Sequence, residues 1–121
     1  MPQKKILTFL SRSAPYGSDH AQLCLDMALA SAVFEQQVNY VFLDDGVYQL
    51  LKDQNAESIG AKTLGNALET LELYGIETVL VDAFSLAQRG LSTADLLLPA
   101  QPVSRAELSA VLRDSDAVFN L

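Results

Sequence analysis

The chain has 121 residues, 50% of them hydrophobic and 19% charged: enough for one domain with a sizeable core, and far from the composition of a disordered chain. Fifteen acidic residues against eight basic ones leave a formal charge of -7, which repels phosphate backbones and anionic lipid and argues against direct binding to nucleic acid or membrane. A single cysteine, Cys24, excludes an internal disulfide and any two-cysteine metal or redox motif, and suits a reducing cytoplasm.

Taken in order, the N-terminal segment MPQKKILTFLSRS has too short an apolar run for a signal-peptide core. No stretch approaches the roughly 18 to 20 apolar residues of a membrane span. The expectation is a soluble, unprocessed single domain over residues 1–121. KILTFL reads as a buried strand running into the turn-forming SRSAPYGS. The next segment predicts a helix opening at Ser18, with Asp19 well placed against the helix dipole, and running to about Glu35.

VNYVFLDDG and IETVLVDA repeat the first pattern, each a β-rich apolar run ending at an acidic residue. Between them lie a short helical piece, VYQLLKDQ, and a segment in which Leu64, Leu68, Leu71 and Leu73 recur at helical spacing before the terminator Gly75. After Asp82 come one or two helical turns stopped by Gly90, then a short fourth strand around 96–98 stopped by Pro99. Ser104 and Glu107 match the S-x-x-E capping box and open the last helix, and DAVFNL closes the chain as a strand.

Strands alternating with helices predict an α/β fold: a single three-layer, doubly wound, flavodoxin-like domain around a mostly parallel five-stranded sheet. On the first helix, Gln22 and Asp26 mark the outward face, yet Leu29 and Val33 share it. A helix apolar nearly all round packs on both sides, which points to oligomerisation.

Such a fold places ligands at the carboxyl ends of its strands. After the first strand, Ser11, Arg12, Ser13 and Ser18 match no nucleotide-phosphate motif; they read as a capped connecting loop, with a small-anion site as the alternative. After the second and third strands stand Asp44, Asp45 and Asp82. Three carboxylates at strand ends suit a divalent cation or a receiver-like phospho-acceptor, but a receiver also needs a late lysine, which DAVFNL lacks. The plainer reading makes Asp44 or Asp45 the cap of a short helix beginning near Gly46. That helix would present Val47, Tyr48 and Leu50, beside Asp45, as packing surface. Cys24 falls on the sheet-facing side of its helix, where a thiol is inert, and His20 has no second ligand. Tyr16, Tyr48 and Phe84 are loop aromatics of the kind that anchor interfaces. These residues identify no catalytic, cofactor or metal site.

Four motifs in register, APYGS, FLDDGVYQLL, SLAQRGL and SDAVFNL, make the chain resemble the DsrE/DsrF-like family over essentially its whole length, in particular its DsrF-like branch. The resemblance implies a cytoplasmic subunit of a TusBCD-type heterohexamer, partnered by TusB-like and TusD-like chains, that relays persulfide sulfur between carriers. The end product is either the 2-thiouridine of tRNA wobble position 34 or, in Dsr-type complexes, oxidised sulfur. In the TusD-like subunit the sulfur-carrying cysteine ends the third strand, and counting back from Gly90 the matching position here is Asp82. A carboxylate cannot carry a persulfide, so the resemblance implies a non-catalytic subunit.

Overall fold

The computed structural model describes residues 5–14, 19–34, 36–50, 70–96 and 100–121. The apolar runs become five strands: β1 (Ile6–Ser11), β2 (Gln37–Phe42), β3 (Thr78–Asp82), β4 (Gln101–Val103) and β5 (Ala117–Asn120). Their spatial order is β4-β3-β2-β1-β5, and every pairing is parallel. From β1 the chain steps outward strand by strand to β4, then returns to the other side of β1 for β5. The order therefore reverses between β1 and β5.

Alternation along each strand builds two cores. Phe9, Tyr40, Phe42 and Val81 face α1 (His20–Val33), and through it Cys24, Leu25 and Ala28. Leu10, Val41 and Leu80 face the other way, onto α3 (Arg105–Arg113), where Leu108 is buried. Between these helices in sequence lies α2 (Ala83–Gln88), whose Leu86 joins the α1 side. The arrangement is the expected three-layer fold, with a wholly parallel sheet.

Several local expectations change. The strand that pairs with β3 lies after Pro99, at residues 101–103; of the strand expected around 96–98, residues 97 and 98 are outside the described residues. β4 is an edge strand, where Pro102 is tolerated because its missing N–H faces away from the ladder. Helix α1 begins at His20 with Asp19 in the cap position but without a side-chain cap bond. Ser18 and Glu35 are outside the described residues, as are Leu64 and Leu68. Leu71 is buried as the helical spacing requires, whereas Leu73 is 85% exposed in a 3-10 turn, Glu72–Tyr74. Gly75 ends that turn at φ 84°, a left-handed conformation that costs glycine little. The capping box of α3 forms as read: Ser104 Oγ accepts from the Glu107 N–H, and the Glu107 carboxylate accepts from the Ser104 N–H.

Candidate functional site at the carboxyl edge of the sheet

β3 ends at Asp82, which is fully buried. It caps α2: Asp82 Oδ2 accepts from the Ser85 backbone N–H at 3.2 Å and from Ser85 Oγ at 2.6 Å. The same oxygen meets Arg105 Nη2 at 2.8 Å, at the start of α3. Asp82 Oδ1 is buried without a hydrogen-bond partner among the described residues. Ser85 Oγ also accepts from the Asp44 N–H at 2.9 Å, which ties the loop after β2 into the same network.

Asp44 and Asp45 open a 3-10 segment, Asp44–Leu50. Neither caps it. Asp44 binds the Arg12 guanidinium at 2.8 Å, and Asp45 binds Arg89 Nη2 at 3.0 Å. Arg89 further donates from Nη1 to the Ser85 carbonyl at 3.2 Å and lies 5.8 Å from the Tyr48 ring centroid. Each of the three strand-end carboxylates thus has its own arginine. Among the described residues no group of three His, Cys, Asp or Glu side chains is placed to hold a metal ion.

The packing expectation for this segment is corrected in part. Val47 and Leu50 are fully buried in the α1-side core, so they present nothing to a partner. Gly46 explains why: its backbone lies so close to the end of β1 that a Cβ there would overlap the Ser11 carbonyl oxygen. This approach turns the segment inward and leaves Asp45 exposed and Tyr48 half-buried. On α1, Leu29 is half-buried against the core, while Val33 is 63% exposed. Tyr16 is outside the described residues.

The serines after β1 are engaged within the chain. Ser11 Oγ accepts from Gln49 Nε2 at 2.7 Å, and Ser13 Oγ donates to the Leu121 carbonyl at 3.1 Å. Cys24 is completely buried, and burial pushes its thiol up from the usual 9.0 despite the neighbouring Tyr40 and Ser11 hydroxyls. A thiol so placed stays protonated and unreactive at neutral pH.

Sequence reasoning missed Ser85, Arg89 and Arg105. The signal for Ser85 was present, since Asp82 three residues before a serine is an N-cap pattern. Nothing local marks the arginines, whose partners lie on other elements.

A family model described as the DsrE/DsrF-like family matches residues 5–121. The chain belongs to the DsrE/DsrF-like family. A TusC homolog of Vibrio parahaemolyticus is 40% identical over 94% of this chain and 97% of its own length. The intracellular sulfur oxidation protein DsrF of Allochromatium vinosum is 36% identical over 96% of each. A TusC homolog of Pseudomonas aeruginosa is 34% identical over 95% of this chain and 97% of its own. In fold, this DsrE/DsrF-like chain is similar to the crystal structure of the YchN protein from Escherichia coli. The TM-score is 0.79 over 98% of this chain and all of that one, at 22% identity.

Proposed function

We propose that this chain is a non-catalytic, structural subunit of a TusBCD-type sulfurtransferase assembly in the cytoplasm. There it would stand beside TusB-like and TusD-like subunits and support the relay of persulfide sulfur toward 2-thiolation of the tRNA wobble uridine. The observation that carries the reading is the state of its only thiol: Cys24 is buried between α1, which carries it, and the sheet, and burial raises its pKa. A persulfide carrier needs an exposed thiol of low pKa. The end of β3, where a reactive side chain would meet the start of α2, holds Asp82 in an ion pair with Arg105. Its contribution is then to the assembly. Val33, Leu29, Asp45 and Tyr48, together with Tyr16, are the candidate contacts.

The experiment is to co-express the chain with TusB-like and TusD-like subunits, purify the assembly, and treat it with a persulfide donor. The expected outcome is co-purification, with the mass of one added sulfur on a partner and none on this chain. A wild-type chain that never joins a larger assembly, or that gains sulfur lost in Cys24→Ser, would overturn the reading. The likeness to DsrF supports a second destination, sulfur oxidation. Nucleoside analysis of tRNA from a deletion strain separates the two: loss of 2-thiouridine marks the thiolation pathway, and its retention marks the other.

A further inference from the structure

Among the described residues, five of the seven exposed large apolar side chains lie on α1, at its end, or on the 3-10 turn Glu72–Tyr74: Leu23, Val33, Phe34, Leu73 and Tyr74. On α1, Leu23, Asp26, Ala30 and Val33 are all exposed. Their helical spacing sets them in one stripe along the outward face, about 15 Å from end to end. Helix and turn adjoin: they are in contact, and Leu71 and Ile76, which flank the turn, share one core with Ala28. Register brings their ends to the same edge of the sheet. Val33 and Phe34 lead into β2 at Gln37, Tyr74 leads into β3 at Thr78, and β2 and β3 pair with Asn39 opposite Thr78.

The charge of this surface has one sign. Asp26, Glu72 and Glu77 are exposed, and none has an ion pair among the described residues, whereas Asp44, Asp45 and Asp82 at the opposite edge each hold an arginine. Neither α1 nor the stretch 70–77 contains a lysine or arginine. Lys5, just before β1 on the same edge, pairs with none of the three acids. Clustered exposed apolar side chains mark interaction sites. Carboxylates left unneutralised around them attract a basic partner and repel RNA, anionic lipid and a second copy of this acidic chain.

We infer that the outward face of α1, with the adjoining turn at 72–74, docks a cationic amphipathic helix of another protein. The partner's apolar side chains lie along Leu23, Ala30, Val33 and Phe34, and lysines or arginines at the rim of its apolar face reach Asp26, Glu72 and Glu77. Side chains three and four apart form the ridges on which helix-on-helix packing relies, and the paired charges set the register. The surface goes beyond the assembly reading above, with which it shares only Val33, and it holds whether or not the chain joins related subunits.

The test uses the full chain and a synthetic amphipathic helical peptide with leucines on one face and lysines on the other, titrated by fluorescence anisotropy. Binding is expected, weaker as salt rises, and the same peptide with glutamate in place of lysine is expected not to bind. Val33→Ser with Phe34→Ser, at two exposed positions, is expected to weaken binding at least about tenfold. Glu72→Gln weakens it about two- to fivefold. Asp114→Asn, which removes an exposed charge at the end of α3 on the other face of the sheet, leaves it unchanged. Amide shifts in the wild-type chain need no variant: residues 23–34 and 72–77 are expected to move when the lysine peptide is added. Should the double variant fail to fold, that map decides the matter. No binding by the lysine peptide, equal binding by the glutamate one, shifts confined to another face, unchanged binding in the double variant, or equal loss in Asp114→Asn overturns the docking site. Self-association of the wild-type chain, or tRNA binding, that is lost in the double variant overturns the choice of occupant. None of these outcomes involves related subunits, so the assembly reading stands or falls separately.

Discussion

At Asp44-Asp45-Gly46 two adjacent carboxylates suggest chemistry, but the glycine carries the structural requirement. Asp44 takes a left-handed φ of 51°, a conformation aspartate tolerates better than most side chains. Gly46 then passes against the Ser11 carbonyl with no room for a Cβ, and its N–H donates to the Leu43 carbonyl at 2.9 Å. Because the obstacle is backbone of β1, an interior strand paired on both sides, it cannot swing aside as a side chain would. Gly46→Ala is expected to destabilise the chain by about 3 kcal/mol. A urea midpoint unchanged in this variant would show that β1 and the 3-10 segment can separate freely. The D-D-G sequence was legible as a turn. That the turn buries Val47 and Leu50 was not, because the close approach joins residues 35 positions apart in sequence.

Among elements, the strongest tie at the carboxyl edge is Asp82, which joins β3, α2 and α3 through one oxygen. An exposed ion pair contributes little, but this one has a fully buried member. Removing Arg105 leaves a carboxylate buried without its counter-charge, discounted because water enters where the half-exposed arginine stood. Arg105→Ala is therefore expected to cost about 2 kcal/mol. In a double-mutant cycle with Asp82→Asn, the coupling is expected to be about 1 kcal/mol or more. Additive single-variant effects would mean that the pair is incidental to the anchoring of α3. The capping box of α3 was legible because Ser104 and Glu107 are close in sequence, and the stop of α2 was legible from Gly90. The strand at 101–103 was not legible because its Pro102 reads as a stop, while an edge strand accepts one.

For the molecule as a whole, the two cores differ in what they enclose. The α1 side holds Cys24 and Tyr40 together, and burial raises both acidic groups: the thiol above 9.0, and the phenol well above 10.0 with Cys24 adding to the effect. The folded chain keeps both protons to higher pH than the unfolded chain does. Below about pH 9 these groups leave stability unchanged. As pH rises past 9.0 and then 10.0, the unfolded state loses its protons first and stability falls toward the raised folded values. Urea midpoints measured from neutral to alkaline pH are expected to decline over that range, and to decline less steeply in Cys24→Ala with Tyr40→Phe. An identical decline in that double variant would place the alkaline sensitivity elsewhere.

The sequence by itself determined the class of fold, the strands β1, β2, β3 and β5, the capping box of the last helix and the family. These depend on periodicity, capping and order along the chain, which are local or are read directly as a string. It also placed Cys24 on the buried face, since helical geometry follows from spacing alone. Tertiary structure decided which arginine each carboxylate takes, that Val47 and Leu50 point inward, and that Phe84 and Arg105 stand stacked at the surface. Those outcomes depend on side chains that meet only once a parallel sheet has brought the ends of distant strands to one edge, and no spacing within a segment encodes such a meeting.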